Sequence, residues 1–121
     1  MFSEKCFSPS QGNQSRKHHL RGNFMYVKVI SRRVFRVSQK EKLIPLLKNL
    51  QELAQNSRGF ISRSTYSSLN DPGEYIVISE WKNADDWIEW MSSNDVQKIQ
   101  WEIDSLIGEK TFFDVYRPED F

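Results

Sequence analysis

Phe60-Ile61-Ser62-Arg63-Ser64-Thr65-Tyr66-Ser67-Ser68 and Glu74-Tyr75-Ile76-Val77-Ile78-Ser79-Glu80-Trp81-Lys82 are joined by Leu69-Asn70-Asp71-Pro72-Gly73, and this stretch decides the fold. Both runs are rich in β-branched and aromatic residues, and the joining segment is made of turn formers, so the pair reads as an antiparallel hairpin. Upstream, Tyr26-Val27-Lys28-Val29-Ile30-Ser31-Arg32-Arg33-Val34-Phe35 has the same strand character. Between them, Ser38-Gln39-Lys40-Glu41 has the form of a capping box and predicts a helix start at Ser38. Leu43, Ile44, Leu46, Leu47, Leu50, Leu53 and Ala54 then recur at spacings of three and four, until Asn56-Ser57-Arg58-Gly59 stops the helix.

Downstream of the hairpin, Asn83-Ala84-Asp85-Asp86 opens a second helix with an N-cap Asn and acids in the first turn. After Ser92-Ser93-Asn94, residues 95–107 carry Val96, Ile99, Ile103, Leu106 and Ile107 on one stripe, and Gly108 ends that segment. Thr111 to Tyr116 is a last strand. The order is β-α-β-β-α-α-β: an α+β, ferredoxin-like βαββαβ fold whose second helix is in two pieces. Helices on one side of such a sheet leave the other face open, and that face should be polar. Here both sides of the first and third strands carry apolar residues, which predicts that a second copy of the chain covers the open face.

The 121 residues amount to one domain. Residues 1–24 carry Lys5, Arg16, Lys17 and Arg21 against Glu4 and have few large apolar side chains, so a flexible basic arm is expected there. The folded domain is expected over 25–117 and an acidic tail over 118–121, with Met25 as a possible second start of translation. The net charge of +1 gives no electrostatic footprint for nucleic acid or an anionic membrane. No segment has the length or apolar character of a secretory signal or a membrane span, and a cytoplasmic location is expected.

Chemistry is constrained by what the body lacks. Cys6, His18 and His19 all lie in the arm, so residues 25–121 contain neither Cys nor His. A His- or Cys-based catalytic triad and a His-ligated zinc or haem are excluded from the body, and no metal site is expected. Glycines are isolated, so there is no P-loop and no dinucleotide fingerprint. The positive signal is aromatic: Trp81, Trp87, Trp90 and Trp101 all fall within 21 residues. Burial in the core accounts for Trp87 and Trp90, on one helical face. Trp101 lies nearly opposite the apolar stripe of its helix and is expected at an interface or a pocket rather than in water.

Gly59-Phe60-Ile61-Ser62 after the first helix, then Tyr75 to Trp81, then Asp86-Trp87 and Trp90, closely resemble the antibiotic biosynthesis monooxygenase family over about Tyr26 to Tyr116. The resemblance implies a dimeric α+β barrel with a pocket in each subunit between sheet and helices. It implies cofactor-independent oxygenation of quinols or anthrones, or, in one branch, haem degradation. Trp90 matches the haem branch's pocket Trp, but its iron-ligating His falls at Gln100 or Trp101 and its pocket Asn near Ser31. Haem degradation is therefore disfavoured.

The expected activity is that of a monooxygenase using no cofactor, acting on a small apolar or aromatic substrate in a homodimer. In such chemistry the substrate forms the carbanion that reduces oxygen, and the protein supplies orientation, a proton acceptor and an apolar cavity. Tyr66, Arg63 and Ser31 are the catalytic candidates, and Val29, Arg33, Trp81, Trp90 and Trp101 the pocket candidates. The alternative is a non-catalytic dimer that binds a small molecule, since no residue in the sequence is committed to chemistry and a strand-surface or interface ion pair explains Arg33 and Arg63 more readily than catalysis does. An enclosed volume of roughly 300 Å³ or more with Tyr or Arg pointing inward would support ligand handling.

Overall fold

Alternation along the first strand sorts the chain into two faces. In a computed structural model that describes residues 26–121, β1 (Val27–Val34) buries Val27, Val29, Ser31 and Arg33 and turns Lys28, Ile30, Arg32 and Val34 the other way. The expected arm, with Cys6, His18 and His19, lies outside the described residues. A 3-10 turn (Val37–Gln39) leads into α1 (Lys40–Gln55), followed by β2 (Phe60–Ser67), β3 (Glu74–Trp81), α2 (Ala84–Ser92), α3 (Asn94–Ile107) and β4 (Phe112–Tyr116). The strands form one antiparallel sheet in the order β2-β3-β1-β4, the ferredoxin-like arrangement.

Local chemistry explains most of the boundaries. Asn83 caps α2 by accepting a hydrogen bond from the Asp86 amide at 2.9 Å. Ser93, with extended backbone, ends α2 and caps α3 through the Val96 amide at 3.3 Å, so one residue breaks the second helix in two. Gly108 closes α3 in the left-handed conformation at φ 91°. The start of α1 departs from expectation, because Ser38 is not its cap. Gln39 takes the cap position without a capping bond from its side chain. Its Oε1 accepts from the Arg36 amide at 2.8 Å across the 3-10 turn, and its Nε2 donates to the Leu106 carbonyl at 2.9 Å, tying the start of α1 to the end of α3.

Two apolar clusters fill the space between helices and sheet. One holds Val27, Val29, Ala54, Trp81 and Trp87; the other holds Phe35, Leu43, Leu50, Val96 and Ile103. Trp90 and Met91 pack against both. The opposite face of the sheet has no covering layer among the described residues, and Val34, Tyr66, Phe112 and Tyr116 are exposed on it.

Candidate functional site

Arg33 follows Val27, Val29 and Ser31 on the inner side of β1, so strand parity carries a guanidinium into the interior. It is only 7% exposed and has no direct ion pair among the described residues. Its Nε donates to Thr111 Oγ1 at 3.0 Å and its Nη2 to Gln100 Oε1 at 3.1 Å. Gln100 Nε2 donates in turn to Thr111 Oγ1 and to Asp104 Oδ1, both at 2.8 Å, and the Thr111 hydroxyl donates to the same Asp104 oxygen at 2.8 Å. Two neutral side chains thus relay the charge of Arg33 to Asp104. Burial pulls the Arg33 pKa down to about 10, against the attraction of Asp104 and with the repulsion of Arg63. Arg33 stays cationic at neutral pH.

Arg63 reaches the same place because β2 is irregular. Phe60 pairs with Trp81 but Ser62 pairs with Glu80, so Ile61 is an extra residue in the strand. The bulge inverts the alternation: Phe60 points inward, and so do Arg63 and Thr65, opposite Ser79 and Val77. Burial lowers the Arg63 pKa, and its guanidinium has no hydrogen-bond or ion-pair partner among the described residues.

Two spaces adjoin these arginines. Toward Trp81 the inner face is nearly filled: a cavity of about 30 Å³ is lined by Val29, Ser31, Trp81, Trp87, Trp90 and Phe113, with Arg33 and Arg63 at its border. Phe60 packs edge-on to Trp81 at 5.5 Å between ring centres, and Trp90 lies 5.4 Å from Trp81. Trp81 Nε1 donates to Ser79 Oγ at 3.1 Å, whereas the buried Trp90 Nε1 has no partner among the described residues. That volume matches a single water molecule, so no aromatic substrate fits there.

Toward the other end, a cleft of about 240 Å³ opens between α1 and the sheet. Phe35, stacked on Tyr75 at 4.6 Å, forms an apolar wall with Val77, and Ile44 and Leu47 of α1 face it. Arg33 and Arg63 also line it, Lys40 and Lys48 stand on α1, and Gln51 and Thr65 complete the lining. No carboxylate among the described residues lines this cleft. Its volume falls somewhat short of roughly 300 Å³, the lower end for drug-sized ligand sites.

Of the candidates drawn from the sequence, the structure brings Arg33 and Arg63 together, with Val29, Ser31, Trp81 and Trp90 on the filled side. It does not bring Tyr66 or Trp101 to them. Tyr66 pairs with Ile76 on the open face and is 52% exposed, and Trp101 stands out from α3 at 69% exposure. Sequence reasoning missed Tyr75 as the aromatic wall and the relay of Gln100, Asp104 and Thr111. The signal for Tyr75 was available in its parity with Val77 and Trp81; Gln100 and Asp104 stand one helical turn apart, but their link to Arg33, 67 residues from Gln100, had none.

The sequence profile described as antibiotic biosynthesis monooxygenase matches residues 25–101. No curated protein gives a significant match. Among solved structures, a conserved protein from Methanosarcina mazei superposes with a TM-score of 0.72 at 18% identity, over 83% of this chain and 99% of the other. SnoaB, a cofactor-independent oxygenase from Streptomyces nogalater, gives 0.66 at 10% identity, over 80% and 96%. A Mycobacterium tuberculosis protein gives 0.68 at 21% identity, over 79% and 97%.

Proposed function

Since the chain belongs to the antibiotic biosynthesis monooxygenase family, we propose that it is a monooxygenase that oxidises a small aromatic substrate without metal, flavin or nicotinamide. The observation that carries this reading is the cleft in which two guanidinium groups border the stacked rings of Phe35 and Tyr75. A carbon acid, such as the keto tautomer of a quinol, bound beside Phe35 and Tyr75 loses a proton from a CH2 group to water, and the positive field of Arg33 and Arg63 stabilises the resulting anion. The anion passes one electron to oxygen, recombination of the substrate radical with superoxide gives a peroxide anion, and that anion takes a proton back from water. Loss of water from it leaves a carbonyl, so one oxygen atom enters the product and the other leaves as water. The fold likeness to SnoaB, itself described as a cofactor-independent oxygenase, agrees with this chemistry.

Haem does not fit the residues present. Residues 25–121 offer no His or Cys for axial ligation, and neither the 30 Å³ cavity nor the 240 Å³ cleft accommodates the macrocycle.

The same reading includes a homodimer, supported by the apolar residues exposed on the open sheet face. Sedimentation at micromolar concentration should give twice the chain mass, with an interface above about 1,000 Å². The absence of a carboxylate or His from the cleft favours a second reading, a binder with no catalysis. Oxygen consumption separates the two: quinol oxidation above autoxidation, insensitive to chelators, is expected of the enzyme. Rates equal to the protein-free control across a panel of quinols would leave only the binder.

A further inference from the structure

The charge of the larger cleft is as specific as its shape. Thr111 and Gln100 occupy Nε and Nη2 of Arg33, and Nη1 has no partner among the described residues. Arg63 has none for any of its donors. Asp104, the acid whose field reaches Arg33, accepts from Gln100 and Thr111 and offsets the charge of Arg33 through them. Arg63 has no such counterpart, and Lys40 and Lys48 add positive charge at the rim. A partly buried guanidinium without a counter-charge is an unfavourable arrangement that a bound anion would relieve.

Taking the cleft to be the substrate site, as proposed above, we infer that its substrate is a monoanionic aromatic acid of one or two rings. Its carboxylate sits between Arg63 and Nη1 of Arg33, while its ring packs against the apolar lining of Tyr75, Phe35, Val77, Ile44 and Leu47. A carboxylate presents two oxygens to guanidinium donors, and bonds of this charge-assisted kind are roughly twice as strong as neutral ones. Phe35 and Tyr75 stack on each other with their ring planes 20° apart, and with Val77, Ile44 and Leu47 they give the cleft an apolar lining. The volume of about 240 Å³ limits the ring system, because a three-ring substrate would extend into solvent.

The test is calorimetric titration of the full chain with 2-naphthoate and with its neutral isostere 2-naphthamide. The acid should bind at least about tenfold more tightly, and Arg63→Gln should bring the two to parity while changing naphthamide affinity by less than about twofold. In the unaltered protein, raising sodium chloride from about 50 to about 500 mM should weaken naphthoate and spare naphthamide, a readout that does not depend on the variant folding. Equal affinities, no binding of either probe, or a preference that survives Arg63→Gln overturns the inference. Oxygen uptake on neutral quinols that 2-naphthoate fails to inhibit would also overturn it and leave the monooxygenase reading standing. Tight naphthoate binding with no oxygen uptake on hydroxynaphthoates would support it and remove the monooxygenase reading.

Discussion

At one end of the inner sheet face, Trp81, Trp87, Trp90 and Phe60 leave about 30 Å³ unfilled; at the other, Arg33, Arg63, Phe35 and Tyr75 border about 240 Å³. The same strands run through both ends, and the change comes where β1 passes from Val27 and Val29 to Ser31 and Arg33. Aromatic density therefore marks where this fold is packed. The recess lies where parity and a bulge bring two long cations to the interior, since like charges hold their surroundings open rather than pack against each other.

The largest effect should come from the packed end. Trp81 is 1% exposed and meets Phe60 and Trp90 ring to ring, so Trp81→Ala leaves a cavity that rigid neighbours cannot refill. A loss of about 3–5 kcal/mol in urea denaturation is expected. A loss under about 1 kcal/mol would mean that this end is as loosely built as the other.

Next in size is Gly59, which joins α1 to the packed end of β2. Its φ of 86° is one that side chains avoid, and a Cβ there would collide with the Asp86 carboxylate. Gly59→Ala should cost about 1–3 kcal/mol. Adding Asp86→Gly, which removes the Asp86 Cβ as well as its carboxylate from the path of the new methyl group, should recover the part due to collision and not the part due to φ, which a double-mutant cycle measures.

The order and type of the elements were legible because they rest on local signals: the Asn70-to-Gly73 turn, the Asn83 cap, and the apolar spacing of α1 and α3. The start of α1 was not, since the bond from Gln39 to the Leu106 carbonyl is tertiary. For the site, parity alone puts Arg33 inward. Arg63 and Tyr66 lie an odd number of residues apart and cannot share a face of a regular strand, so only the bulge at Ile61 decides between them. Nothing in Gly59-Phe60-Ile61-Ser62 announces that bulge. Trp101 resists for a different reason: its exposure on the single chain follows from a helical position that no other described element covers.

A comparable effect is expected where the relay holds the open end. Thr111→Val keeps the β-branched shape but removes an oxygen that accepts from Arg33 Nε and Gln100 Nε2 and donates to Asp104. Stability should fall by about 1–3 kcal/mol. The preference for 2-naphthoate should weaken with it, because Arg33 then lacks the bond that fixes its orientation. A fall in stability with the preference unchanged would show that Arg63 alone reads the anion.

The smallest effect on stability should belong to Arg63. Its side chain has no bonded partner among the described residues, its charge opposes that of Arg33, and burial disfavours it. Solvent reaches part of the group and screens the repulsion, so Arg63→Gln should leave the urea midpoint unchanged or raise stability by up to about 0.5 kcal/mol. A substitution that loses anion affinity at no cost in stability is what separates a ligand-facing cation from a structural one. If Arg63→Gln instead destabilised by more than about 1 kcal/mol, Arg63 would have a counter-charge in the assembled protein, as an acid from a second copy could supply. The cleft would then be a joint between subunits, and its contrast with the tryptophan end would be one of assembly rather than of ligand binding.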